Sequence, residues 1–273
     1  MQSAVFQLVT AAMVSCACSL ALAQDAPHPP TKHGGSFYVA WGYNKDWFTQ
    51  SDIHFEDHVS DDYDFTVHAV AAHDEPSLGE VFKSNPSVPQ YNIRFGYFFN
   101  DTHDLGVELA FDHAKYIVTH GQRAHVTGSI RGTPIDADTV LNGHFLLFEH
   151  TNGANFLMVN LLKRRGLLTS GNGNEGLAMV AKIGAGLVIP KTDVTLFGEQ
   201  RDNVFHVAGY VAGIEAALRG HFLKNFFLEP AAKGVYANYS NVLTVGSAHA
   251  SHHFFATEFM LSGGVQVGIG RAD

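Results

Sequence analysis

Three side chains near the carboxyl end belong to types that acyl transfer uses. His249-Ala250-Ser251 sets an imidazole two residues from a hydroxyl, and Glu258 follows on the same segment. A hydroxyl becomes a nucleophile only beside a base that a third group orients, so these three types are worth following. Tyr239-Ser240-Asn241 offers a second hydroxyl, but Asn238 stands where a base histidine would be wanted. Residues 52–74 form the densest polar stretch, in which Asp52, His54, Glu56 and His58 alternate. Imidazole and carboxylate are ligand types for a divalent cation, although the spacing defines no closed coordination set. A solvated extracellular loop is the other reading, and 17 histidines make chance proximity common. Glu149-His150 places a carboxylate beside an imidazole, an acid/base pair if both reach one rim, while Asn152-Gly153 suits a tight turn. Lys163-Arg164-Arg165 suits contact with lipid phosphate.

Other chemistries are excluded. Gly171-Asn172-Gly173-Asn174-Glu175-Gly176 reads as GxGxxG, but no strand-to-helix unit surrounds it and a flexible hairpin loop explains it. No HExxH, Walker loop, calcium loop or Gly-x-Ser-x-Gly turn occurs. Both cysteines, Cys16 and Cys18, fall inside residues 4–23, an uncharged stretch that ends Ala21-Leu22-Ala23 as a signal peptide does before cleavage. Residues 1–23 are therefore expected to be a leader, leaving 24–273 without thiols for disulfides, metal sites or nucleophiles. A net charge of −9 with no basic run argues against nucleic acid as a partner. No cofactor is expected, and a divalent cation is the one addition the residues would admit.

Strands must position these groups. In 91–99, Tyr91, Ile93, Phe95, Tyr97 and Phe99 share one parity, and Asn92, Arg94 and Gly96 the other. Leu105, Val107, Leu109 and Phe111 likewise oppose Gly106, Glu108, Ala110 and Asp112, with a short polar turn between the two runs. Period-two alternation of this kind is a strand signal, and the pair reads as a hairpin. The first strand alternates Phe37, Val39, Trp41 and Tyr43 with small or polar residues, Tyr38 being the exception. Similar runs at 177–189, 206–219, 226–237 and 255–269, with further candidates at 62–74, 143–150, 155–163, 192–199 and 242–249, bring the count to about ten or twelve.

The polar parity decides between two architectures. A soluble periplasmic binding barrel would wet that face with Lys, Glu and Thr, whereas a transmembrane barrel turns large apolar residues to lipid and small or polar ones inward. Here the polar face is rich in the chain's 27 glycines, with scattered single charges. The sequence thus predicts an all-β fold, an antiparallel transmembrane β-barrel over 24–273. Its lumen would receive Arg94, Glu108, Asp112, Lys182, Glu215, Arg219, Glu229 and Lys233, with Glu258 on the same parity. Confined charges must pair or be hydrated, so the lumen is expected to be filled or very narrow.

Over most of 24–273 these alternating strands resemble bacterial outer-membrane β-barrel proteins in general, although the chain ends Gly270-Arg271-Ala272-Asp273 without a terminal aromatic residue. The resemblance implies Gram-negative export to the cell outer membrane, contact with its lipid and lipopolysaccharide, assembly by the barrel-insertion machinery, and a surface, adhesion or narrow transport role. The His-x-Ser plus Glu set resembles in part that of outer-membrane lipid A deacylases, which would make Ser251 the nucleophile, His249 the base and Glu258 its orienter.

Overall fold

The computed structural model describes residues 35–59, 62–75, 89–99, 104–169, 175–222 and 225–269. The expected leader at 1–23 and most of the GxGxxG stretch lie outside them. The described residues form seventeen strands: β1 Gly35–Phe48, β2 Ser51–Asp57, β3 Tyr63–Val70, β4 Ala72–His73, β5 Tyr91–Phe98, β6 Leu105–His113, β7 Tyr116–Val118, β8 Arg123–Ile130, β9 Thr133–Val140, β10 Leu146–His150, β11 Phe156–Thr169, β12 Glu175–Val188, β13 Asp193–Leu196, β14 Glu199–Asp202, β15 Gly209–His221, β16 Phe226–Leu243 and β17 His249–Ile269.

Eight of these close a ring. β1 pairs with β5, followed in order by β6, β11, β12, β15, β16 and β17, and β17 pairs back onto β1, antiparallel throughout. Closure removes every unpaired edge, which a sheet crossing hydrocarbon requires. The upper end of β17 also pairs with β2, so β2, β3, β8 and β9 continue the sheet beyond the ring and make it twelve-stranded. The other five strands form a second sheet in the order β14, β13, β10, β7, β4.

The two ends of the ring differ. At one end lie Gly35, Ile269 and the short connections β5 to β6, β11 to β12 and β15 to β16, while the connections at the other end carry all nine strands outside the ring. In outer-membrane barrels short turns mark the periplasmic side and long excursions the extracellular side, and the two ends take their names from that rule. The excursions form a cap in which the inner face of β2, β3 and β8 packs on the five-stranded sheet. Phe55 meets Phe148 edge to face at 5.7 Å, and Tyr63 meets Phe197 at 5.6 Å. Arg131 and Gly132, both at positive φ (53° and 72°), make the two-residue turn between β8 and β9.

Register sets the two faces of the wall. Gly96 lies opposite Tyr38 and Gly264 opposite Phe227, and a Cβ at either glycine would run into the ring across from it. These glycines let large aromatic rings lie flat inside a narrow barrel.

Candidate functional site

The outer wall is an apolar belt. Trp41 is 49% exposed, Leu161 62% and Ile183 60%, and Phe95, Leu109, Leu228, Phe255, Leu261 and Val267 are exposed on the same outward parity. Phe37 and Tyr97 pair near the periplasmic end of the wall, Trp41 and Tyr43 further up β1. Soluble proteins rarely leave apolar patches of this extent in water, whereas hydrocarbon favours such a ring. The chain is a transmembrane β-barrel. The same belt argues against a soluble periplasmic barrel.

No family model and no curated sequence matches the chain. Similar solved structures include Ail, the attachment invasion locus protein of Yersinia pestis, with 13% identity over 86% of this chain and 99% of that one, at a TM-score of 0.37. Neisserial surface protein A is 10% identical over 85% and 98%, also at 0.37. Outer membrane protease OmpT from Escherichia coli is 9% identical over 88% and 98%, at 0.39. At such values the barrel assignment rests on the closed ring and its belt.

The lumen is stratified from the periplasmic end upward. In the lowest layer the Arg219 guanidinium lies over the rings of Tyr38 (4.0 Å) and Phe227 (4.1 Å), and its Nε donates to Glu229 at 2.5 Å. Above it one connected network crosses the barrel. Lys182 meets Glu215 at 2.8 Å and Glu108 and Glu229 at 3.0 Å each. Arg94 reaches Asp112 at 2.5 Å and Glu108 at 3.7 Å, and Lys233 joins Asp112 to Glu258, the latter at 3.2 Å. All eight lumen residues expected from the sequence are buried in this network. It also recruits Tyr38, whose hydroxyl donates to Glu108 at 2.5 Å, and Asn160, whose amide donates to the same carboxylate at 2.9 Å. Toward the rim, the Gln90 amide donates to Asp46 at 3.1 Å and to Asp74 at 3.3 Å.

The next layer is apolar and aromatic. Phe156, Met158, Val235 and Phe254 from the wall join Tyr116 and Phe148 from the cap in one continuous core. Tyr239 stacks on both His150 and His252, and its hydroxyl donates to the Ala154 carbonyl at 2.6 Å. The cap therefore enters the mouth of the barrel instead of arching over it.

The remaining candidates separate. Ser251 and His249 share one face of β17, and Ser251 lies half-buried opposite His54 in register. Glu258 is on the other face, fully buried against Lys233 and roughly 23 Å further along the strand at about 3.3 Å per residue. No Ser-His-Glu triad forms, because odd and even positions of one strand cannot meet. Glu149 and His150 fail as an acid/base pair for the same reason: His150 points into the core, and Glu149 accepts from Thr151 at 3.2 Å on the opposite face of β10. Burial raises the Glu149 carboxyl above the usual range. Gly153 does take positive φ, but the strands flanking this turn enter different sheets instead of pairing as a hairpin.

The Asp52 cluster is structural. Asp52 accepts the Ala69 amide at 2.7 Å and faces His68 at 3.2 Å, so it holds an irregularity in the pairing of β2 with β3 at which Ala69 takes φ of 51°. The Ala69 bond keeps its carboxyl below the ordinary range. His54 lies 3.1 Å from Thr66 and 3.8 Å from Glu56, while His58 sits past the end of β2. Among the described residues no three His, Cys, Asp or Glu side chains converge to hold a metal ion. Lys163 is exposed on the outer wall, and Arg164 turns inward to Asp104 of the periplasmic turn at 2.9 Å.

Proposed function

We propose that this is a surface protein in which the barrel is an anchor and the cap a rigid platform presented outside the cell. The observation that carries this reading is the double filling of the lumen, first by the ion network and then by the aromatic layer. Solute passage would need both to move, and the ion network is drawn from ring strands alone. The outer face of β2, β3, β8 and β9 offers Asp52, His54, Asp64, His68, Asp136 and Asp138 to solvent as a continuous polar surface suited to an adhesive role. The lipid around the cap end is lipopolysaccharide in this reading, and Lys163 faces phospholipid phosphate at the other leaflet. Export by a leader cleaved before Gln24 and assembly by the barrel-insertion machinery belong to the same proposal.

Cysteine labelling tests it, because removal of 1–23 leaves no native thiol. On intact cells a membrane-impermeant maleimide should label Asp136→Cys and spare Asn225→Cys in the periplasmic turn, with intact mass starting at Gln24. Proteoliposomes of the protein should take up no sugar. Labelling in the reverse sense, or sugar uptake at a porin's rate, would sink the reading.

A further inference from the structure

His150 closes β10, the middle strand of the five-stranded cap sheet, and His252 stands on the wall above Phe255, the uppermost exposed apolar residue of β17. Their Nε2 atoms are 3.3 Å apart in a layer from which water is excluded. His150 Nδ1 lies 3.0 Å from the Thr192 hydroxyl, and His252 Nδ1 is buried with no hydrogen-bond partner among the described residues. Two facing Nε2 atoms at this distance share a single proton. With both rings neutral, the arrangement that strands no N–H has His252 donating to His150, and His150 donating through Nδ1 to Thr192. Only a lone pair on His252 is then left unmatched. A second proton would either set N–H against N–H or leave a charged, unpaired donor at His252 Nδ1.

No counter-charge awaits that proton. The side chains packed on the pair are Tyr116, Phe148, Tyr239 and Phe254, none of which turns anionic in acid. The other titratable neighbours, His206 and His253, are cations when they protonate and oppose a charge on the pair. Glu149 points to the far face of β10, and Glu258, three inward positions down β17, answers to Lys233.

We propose that the His150 and His252 pair is an acid-released latch that holds the cap in the mouth of the barrel. Burial pushes His252 down to about 3 and holds His150 well below the usual imidazole range. The closed form therefore stays unprotonated at pH values where a parted pair, wetted by solvent, takes up protons from about 6.5 downward. Closure is fully favoured above that value and weakens as the pH falls toward 3, by about thirty-fold for His252 at pH 5 and in the same sense for His150. Release separates β10 from β17 and bares the Tyr239 and Phe254 rings, turning a sealed platform into one with an open apolar mouth.

Hydrogen exchange of the whole protein in lipid nanodiscs tests the latch, with each rate divided by the intrinsic rate at the same pH. Protection of the β7 and β10 amides should fall at least tenfold between pH 7.5 and 5, while that of β12 and β15 holds. The fall should vanish in His150→Phe/His252→Phe, and it should shrink but persist in His252→Gln, which keeps an amide in place of one ring and serves if the double variant does not fold. Cap protection that is constant in the wild type overturns the proposal. So does an equal fall in either folded variant, which would assign acid sensitivity to carboxylates elsewhere in the cap.

Discussion

Lys182 meets three carboxylates at 3.0 Å or less, and each of the three leans on it in turn. Removing one member of a buried ionic set strands its partners in low dielectric, which costs more than the intact set contributes. Lys182→Met should destabilise the folded barrel by about 3–5 kcal/mol in urea unfolding from lipid vesicles. The exposed pair of Lys191 and Asp202, at 2.8 Å, gives the contrast: Lys191→Met should shift the same curve by less than about 1 kcal/mol. Equal effects would mean that the lumen is wet enough to screen its charges. The identities of these lumen residues were legible from parity alone, since a charge on the small-residue side of an amphipathic strand has nowhere else to go. Tyr38 was not, because an aromatic ring on that parity looks like an exception until Arg219 and Gly96 are placed beside it. Ser251 and Glu258 misled for the complementary reason. A motif spacing measured along the chain ignores that a strand turns its neighbours to opposite sides.

Among the elements, seven of the eight ring strands announced themselves through alternation and β11 only as a further candidate, but β8 and β9 lie in a stretch that reads as a long connection. Thr133-Pro134-Ile135-Asp136-Ala137-Asp138 offers little apolar parity because β9 is an outer edge strand, and its Pro134, Asp136 and Asp138 keep that edge from templating another chain. Its turn gave little warning either, since Arg131 adopts a backbone conformation usually left to Asn or Gly. The cap and ring differ in solvent, and substitution by a charge should report it. Leu161→Arg, in the belt, should cost about 2–4 kcal/mol of folding stability in bilayers, whereas Asp136→Arg on β9 should cost less than about 0.5 kcal/mol. Unfolding of both variants in vesicles of one lipid composition provides the comparison. A tolerated Leu161→Arg would place that residue in the headgroup region and shift the membrane boundary on β11.

At the scale of the whole molecule, closure is redundant. The ion network and the aromatic layer lie in series, drawn from different parts of the chain: Arg219, Glu229 and Lys182 from ring strands alone, Tyr116, Phe148 and His150 from the cap. A sequence reading reaches the first layer, whose residues alternate along strands, but not the second. That layer exists only because segments far apart in the chain fold back into the mouth, and Tyr116 and His150 sit in short strands with no long period to reveal them. Redundancy makes a specific forecast for conduction in planar bilayers. Wild-type protein at neutral pH should show no large, stable channel. Arg219→Gly removes a guanidinium from the lower layer but leaves the apolar layer dry, so it should stay closed. Tyr239→Gly opens a gap between the two histidines and the wall but leaves the salt-bridged network intact below, so it too should stay closed. The combined Arg219→Gly/Tyr239→Gly variant, verified as folded by its heat-modified electrophoretic mobility, should also pass no steady current, because Arg94, Lys182 and Lys233 with their carboxylates still cross the lumen between the two sites. Steady current through the double variant would show that the salt-bridged network of Arg94, Lys182 and Lys233 is no barrier to ions.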